Sequence, residues 1–218
     1  MRSQLPYPPE FVRRRYNRLA PAYKLFEWIF WLPRGFRERA VRALELRPGD
    51  SALEVGCGTG RNFRHLEAAV GSTGHVFGID LSDEMLNRCR RLCDRSGWRN
   101  VTLVRGDALH HTVPQQVDAA LFSLSYSTMQ HGGEILRHVW SQLKPGSRLV
   151  VADGKNMRGR VGRLLRPFIV AEMKATVLGN PDHPAWRDMQ DLTQEVEVKE
   201  ELFGAYYLAI ARKATHSR

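Results

Sequence analysis

Cysteine is scarce in this chain of 218 residues: Cys57, Cys89 and Cys93 are an odd number, and no two form a CxxC pair. Cys89 and Cys93 lie four apart on a predicted helix with no histidine nearby. That pattern reads as buried reduced thiols rather than a disulfide framework or zinc ligands, and no metal site is expected. Long apolar runs are also missing. The longest, "WIFWL", falls far short of the ~20 residues a membrane-crossing helix needs. The opening residues, MRSQLPYPPE, contain no apolar h-region, so no signal peptide is expected and a cytoplasmic chain is the default. Internal repeats and low-complexity tracts are absent as well. One domain, or one domain with an added lid, suits this length.

What the chain does have is positive charge, 33 Lys and Arg against 23 Asp and Glu for a formal net of +10. A surplus of this size points to an anionic partner: nucleic acid, a membrane surface or an acidic substrate. It is unevenly placed. Residues 1–50 hold eleven basic against five acidic side chains, and residues 155–174 hold six against one. Those two surpluses, six and five, exceed the chain's whole excess, so the remainder is close to neutral. Aromatic rings gather in the first of the two. Tyr23, Phe26, Trp28, Phe30 and Trp31 crowd together, with Arg34, Arg37 and Arg39 immediately behind.

From Ser51 to Val151, short apolar runs alternate with amphipathic stretches. "SALEV", "HVFGID", "VTLVRGD", "VDAALFSLS" and "SRLVVAD" read as five strands bounded by Gly, Asp or Pro-Gly signals. "RNFRHLEAAV", "DEMLNRCRRLCDR" and "GGEILRHVWSQLK" read as helices, the last stopped by Pro145-Gly146. Strand alternating with helix implies right-handed parallel crossovers and a doubly wound α/β sheet. The end, "EVEVKEELFGAYYLAIARK", reads as an antiparallel hairpin around Gly204. Residues 1–47 are expected to be a helical N-terminal lid, and residues 48–218 a Rossmann-like domain with a basic, partly helical insert at 155–194 that is also expected to act as lid.

The strongest chemical signal is "LEVGCGTGRN". Glu54 closes the first strand, Gly56, Gly58 and Gly60 make the turn, and a helix starts behind them. Glycines let backbone approach a ligand, and a helix N-terminus offers free N–H groups. The spacing is G-x-G-x-G, not the dinucleotide-binding G-x-G-x-x-G, and an acid two residues before the first glycine suits an ammonium group rather than a pyrophosphate. Asp80 ends the second strand and can accept both hydroxyls of a ribose. Asp107 ends the third, where a carboxylate can take the exocyclic amine of adenine. Any one of these acids alone would more often be a loop residue or a helix cap, as Asp83 is read here. Three at the carboxyl ends of adjacent parallel strands converge on one crevice.

On "LEVGCGTG", "GIDLSDEML" and "VRGDA" the chain resembles the class I S-adenosylmethionine-dependent methyltransferases. The resemblance implies a seven-stranded sheet, mostly parallel with its last strand antiparallel, and S-adenosylmethionine as cofactor. It implies that Gly56, Gly58 and Gly60 line the methionyl and ribose part and that Glu54 faces the ammonium group, directly or through water. Asp80 would hold the ribose, Leu81 and Met85 would pack by the adenine, Asp107 and Ala108 would read its edge, and Ser123 would lie near the sulfonium. "YNRLAPAYK" resembles the N-terminal pattern of the subgroup that methylates quinones and amine-bearing lipids, which suggests that Tyr16 and Tyr23 close over cofactor or acceptor. Asn17 and Lys24 stand where that subgroup has aspartates, so no acid role carries over to them.

An amine acceptor must lose a proton before methylation, and a carbon or hydroxyl acceptor needs a firmer base. Tyr126, His131 and Asp153 are the rim candidates, Asp153 foremost because its strand points toward the crevice; His110 and His111 could cover the adenine instead. The expected partner is an amphiphilic small molecule, a lipid amine or a quinone precursor, met at the inner face of an anionic membrane. A soluble metabolite is the alternative. Nucleic acid is disfavoured, since no RNA-binding module and no D/N-P-P-Y/F signature are present.

Overall fold

The computed structural model describes residues 9–19, 32–157, 159, 167 and 182–215. The aromatic stretch 23–31, including Tyr23, and nearly all of 158–181 lie outside the described residues.

Seven strands form one sheet: β1 Ser51–Val55, β2 His75–Asp80, β3 Val101–Arg105, β4 Val117–Ser123, β5 Leu143–Gly154, β6 Val196–Glu201 and β7 Tyr206–Arg212. Their order is β3-β2-β1-β4-β5-β7-β6. The first five run parallel, and β7 enters antiparallel between β5 and β6. The expected mixed seven-stranded architecture is thus present. Every residue of β1 is buried, as a central parallel strand covered on both faces requires.

Helices α1 Pro9–Leu19, α2 Phe36–Arg42, α3 Phe63–Val70, α4 Asp83–Ser96, α5 Gly132–Ser141 and α6 Trp186–Met189 complete the described fold. Two apolar layers sandwich the sheet. Phe36, Phe63, Leu66, Leu86 and Cys89 bring α2, α3 and α4 onto one face. Ile135, Leu136, Val139 and Met189 bring α5 and α6 onto the other. Leu53 and Val55 of β1 point into the second layer while Ala52, just before them, points into the first.

The expected run of α5 through Lys144 is corrected. The helix ends at Ser141, and Leu143 already pairs with Val117 as the first residue of β5. Pro145-Gly146 sits inside an irregular strand start: the β4–β5 register slips between Val117 and Ala119, and Gly146 takes φ 83°. The Lys144 ammonium, which looked helical, donates instead to both oxygens of Asp118 at 2.8 Å.

At the N-terminus of α4, the Ser82 hydroxyl accepts from the Met85 amide at 3.2 Å, a side-chain cap of the usual kind. Helix α1 is fastened to the same place. Asn17 Oδ1 accepts from the Ser82 hydroxyl at 2.6 Å and from the Glu84 amide at 3.3 Å. Arg13 reaches Asp83 at 3.4 Å. The asparagine that replaces an aspartate in the N-terminal pattern therefore works as a neutral acceptor, docking α1 across the ends of the strands.

Candidate active site

A crevice of about 910 Å³, its open mouth included, lies at the carboxyl ends of β1 to β4 beneath α1. Its floor is the turn after β1. Gly56, at φ 70°, lies so close to the segment after β4 that a Cβ there would come within 2.6 Å of Ser125 Cβ. Gly58, at φ 54°, is different: a Cβ there would meet no protein atom within 4 Å, so the position faces open space in the crevice wall. Gly60 is not part of that wall. A Cβ on it would lie 2.7 Å from Cys89 Sγ, so its glycine serves the packing of the turn on α4.

Glu54 lies under the turn, 1% exposed. Its Oε1 accepts from Asn62 Nδ2 at 2.6 Å, and Asn62 Oδ1 in turn accepts from the Arg37 guanidinium at 3.3 Å. Its Oε2 is buried with no partner. Burial pushes the carboxyl up to about 8, against the lowering effects of Asn62 and Arg37. An unsatisfied buried carboxylate oxygen is costly unless something else supplies the donor. Asp80 Oδ2 accepts from the Gly58 amide and Oδ1 from the Ser82 amide, each at 2.8 Å. One carboxylate thus ties the glycine turn to the start of α4, while burial raises its pKa. Asp107 lines the same crevice with Oδ1 turned back to the Leu109 amide at 3.0 Å. Leu81, Met85 and Ala108 fill the wall between the two acids. His111 is stacked on the backbone at Gly106, its Nδ1 2.9 Å from the Asp107 carbonyl oxygen.

The far wall was only partly anticipated. Tyr16 and His131 line the crevice, as do Leu124, Ser125, Thr128 and Met129, which sequence reasoning passed over in favour of Ser123. The cause is a backbone reversal: Leu124 takes φ 55°, ends β4, and turns the following segment across the mouth. The Ser125 hydroxyl then donates to the Val55 carbonyl at 2.8 Å. Ser123 stands behind this wall, accepting from Arg37 at 3.3 Å. Nothing in the residue pattern marks a leucine for the left-handed region, whereas "FSLSYSTM" does mark the segment.

Asp153 and Tyr126 do not line the crevice. Asp153 is 3% exposed, and its Oδ2 accepts from the Ser127 amide at 2.7 Å while Oδ1 accepts from the Gly154 amide at 2.8 Å. It holds the short 3₁₀ turn Tyr126–Thr128 in place, and burial pushes its carboxyl up to about 6. The Tyr126 hydroxyl donates to Asp188, which also meets His183 Nε2 at 2.7 Å. Burial and then Asp188 raise the phenol's pKa, so it stays protonated. His131, by contrast, reaches the mouth with Nδ1 3.5 Å from Glu134. Tyr23 lies outside the described residues. Among the described residues, no group of His, Cys, Asp and Glu is arranged to hold a metal ion, and no helix is long and apolar enough to cross a membrane.

This geometry fits a ligand with a cationic end, vicinal hydroxyls and a planar amine-bearing ring. The orphaned Glu54 oxygen, the open space at Gly58 and the two wall acids each find a counterpart in S-adenosylmethionine. Comparison with known proteins agrees. Residues 52–146 match the methyltransferase domain model. A demethylmenaquinone methyltransferase of Lactobacillus johnsonii is 25% identical over 150 residues, 67% of this chain and 62% of that protein. An uncharacterised 37.1 kDa transposon protein of Streptomyces fradiae is 34% identical over 123 residues, 55% of this chain and 34% of that one. The chain thus matches less than two thirds of these relatives' length. Among solved structures, a SAM-dependent methyltransferase from Aquifex aeolicus superposes with a TM-score of 0.62 at 18% identity, covering 94% of this chain and 98% of that one. Residues 52–146 thus carry a methyltransferase domain, on a sheet with the fold of the S-adenosylmethionine-dependent methyltransferases.

Proposed function

We propose that the chain is an S-adenosylmethionine-dependent methyltransferase whose methyl acceptor is an amphiphilic small molecule of the hydroquinone type, a quinone precursor with an apolar tail. The observation that carries this reading is the wall between Leu124 and His131. It offers apolar surface, from Leu124 and Met129, beside one histidine at the mouth, with Ile135 behind. The similarity to demethylmenaquinone methyltransferases supports the same class. A phospholipid amine at a bilayer surface is the neighbouring reading, since it asks for the same apolar wall.

In this account Glu54 receives the ammonium group of the cofactor, directly or through water, and the orphaned Oε2 gains its donor. Asp80 has both oxygens engaged by backbone amides, which fixes the carboxylate plane so that its remaining lone pairs can accept ribose hydroxyls. Asp107 and Ala108 stand at the adenine edge, with Leu81 and Met85 against its face. S-adenosylmethionine, when bound, supplies a methyl group on a sulfonium, an electrophile whose leaving group departs neutral. The chain's own task is to position the acceptor, exclude water and take a proton. His131 is placed for the last of these. With Nδ1 toward Glu134, its Nε2 is the nitrogen left to accept the acceptor's hydroxyl proton. Tyr16, carried on α1, closes the crevice from above.

Transfer of labelled methyl groups tests the reading. Purified protein and methyl-labelled cofactor are offered a reduced prenylated naphthoquinone with a free ring position, phosphatidylethanolamine vesicles, a soluble metabolite extract and bulk RNA. Label is expected in the quinol. Label confined to the metabolite extract or to RNA overturns it, and label in phosphatidylethanolamine selects the neighbouring class. A His131→Gln variant is expected to lose about 100-fold in turnover while binding cofactor normally, in the usual range for removing a general base.

A further inference from the structure

The turn joining β6 to β7 breaks the local rules of hairpin chemistry. Its first three residues, Leu202, Phe203 and Gly204, all have positive φ, at 48°, 55° and 81°. The Gly204 amide donates to the Glu201 carbonyl and the Ala205 amide to the Leu202 carbonyl, each at 3.0 Å, so the reversal is well formed. Turns of this kind favour Asn, Asp and Gly, because a bulky side chain in the left-handed region is strained. Here the two positions carry leucine and phenylalanine, and the phenylalanine points away from the protein. Phe203 is 85% exposed, while the other exposed large apolar side chains among the described residues, Phe11, Val198 and Leu202, lie between 37% and 40%.

A strained loop with an exposed ring would be unremarkable on a floppy hairpin, but this one is clamped at its base. Arg39 of α2 grips Glu201 with two bonds of 2.8 and 2.6 Å. The buried Lys155 ammonium lies 3.1 Å from Glu200, and the Lys155 amide donates to the Ala205 carbonyl at 2.8 Å. Gly154 of β5 pairs with Tyr206, which puts the tip at the carboxyl edge of the sheet, the same edge as the crevice. The two hairpin acids nearest the tip are therefore paired with cations and offer little repulsion to an anionic surface.

Both basic segments of the chain root at this spot. The aromatic N-terminal stretch leads into Leu32, which packs on the layer holding Phe36 and Tyr206, whose rings lie 5.4 Å apart. The insert, with its surplus of five positive charges over 155–174, leaves from Lys155, and Asn156 is hydrogen-bonded to Asp182 where the chain returns.

From the strained exposed tip, its clamps and the cationic roots around it, we propose that Leu202 and Phe203 form a bilayer contact, seating the crevice edge on an anionic membrane surface with the Phe203 ring in the interface. The purpose of such a contact rests on the reading of the acceptor as an amphiphile, but its test reads membrane contact without any methyl transfer, so either can fail alone.

The experiment uses the full chain and vesicles of phosphatidylglycerol with phosphatidylcholine. Cys57, Cys89 and Cys93 are all buried, so a Phe203→Cys variant carries one accessible thiol for a polarity-sensitive fluorophore. A blue shift on adding the anionic vesicles is expected, weaker with phosphatidylcholine alone and suppressed by salt. Phe203→Asn removes the ring and suits the left-handed turn. It is expected to weaken vesicle partition by about tenfold or more, as loss of a buried phenyl group implies, while raising the melting temperature and leaving cofactor affinity unchanged. An unshifted label, an Asn variant that partitions like the parent, or equal binding to neutral vesicles overturns the proposal. A blue shift that follows protein concentration without lipid also overturns it, assigning the tip to a second copy of the chain.

Discussion

The two halves of the sheet's carboxyl edge are built from similar residues and put them to opposite uses. On the β1–β4 half, Glu54 keeps one buried oxygen without a partner, and Asp80 and Asp107 face open crevice. On the β5–β7–β6 half, the carboxylates are engaged by the protein itself. Asp153 holds the Ser127 amide, Asp188 holds Tyr126 and His183, and Glu200 and Glu201 hold Lys155 and Arg39. Position at the end of a strand therefore does not distinguish a ligand-facing acid from a structural one. Facing the crevice does, since Asp80 and Asp153 each accept two backbone amides and only Asp80 lines it. The first half lines the crevice, and the second is a scaffold that braces the far wall through Asp153 and carries the hairpin tip.

The largest test of this division is Asp80→Ala. It removes the carboxylate that accepts from the Gly58 and Ser82 amides and that faces the proposed ribose, so the glycine turn loses its tie to α4. Cofactor affinity measured by calorimetry is expected to fall by about 100-fold or more, equivalent to ~2.7 kcal/mol. A loss under about threefold would place Asp80 with the structural acids.

Next comes the pH response of Glu54. Its folded pKa, about 8, lies above the ordinary 4.5 because the group is buried. Between those values the folded protein keeps a proton that the unfolded chain releases, so its contribution to stability is present at low pH and declines as pH rises through the window. A cation that binds the carboxylate form reverses the trend, and affinity rises about tenfold per pH unit up to pH 8. Asp153, raised to about 6, adds to the stability trend only at the acidic end. Glu54→Gln should therefore flatten the melting temperature between pH 6 and 8, remove the slope in affinity, and weaken binding at pH 8. An affinity slope that survives the substitution would mean that the ammonium is held elsewhere.

Asp153→Ala belongs to the other half and should behave accordingly. It leaves the Ser127 amide buried and unpaired, and a loss of about 1–3 kcal/mol in unfolding free energy is expected, with cofactor affinity changed less than about threefold. Normal stability with abolished turnover would move Asp153 into the catalytic set.

Much of this edge was legible in the residue pattern, and the unread part has a physical cause. The bounds of β1 and β2 follow directly from runs whose every central residue is buried, and the G-x-G-x-G turn announces where a ligand is met. Resemblance sets Gly60 along the methionyl and ribose part of the cofactor and Ser123 near the sulfonium, while the structure adds that Gly60 packs on Cys89 and Ser123 bonds Arg37. Neither contact is local in sequence. The far wall depends on the left-handed backbone at Leu124, which no side-chain preference encodes, and on Asp153 reaching back to Ser127 across 26 positions. Lys144 shows the converse error: helical spacing was a good local description, and pairing of Leu143 with Val117 overrode it.

The smallest expected effect is at the clamp between helix α2 and the hairpin. Arg39 and Glu201 form a two-bond pair, but Arg39 is 42% exposed, so solvent screens much of the attraction. The hydrogen bond to Glu201 raises the guanidinium's pKa, which leaves it charged throughout any practical range. Arg39→Ala should therefore cost only about 0.5–1 kcal/mol of global stability, near the upper end for exposed pairs because the geometry is bidentate. Its local consequence is more telling. With the clamp removed, the β6–β7 amides should exchange hydrogen faster while those of β1 and β4 do not change, since β1 and β4 sit in the middle of the sheet and β6 at its edge. Faster exchange at β1 would show that the two halves of the edge are mechanically one, and that ligand-facing and scaffold acids differ only in whether they face the crevice.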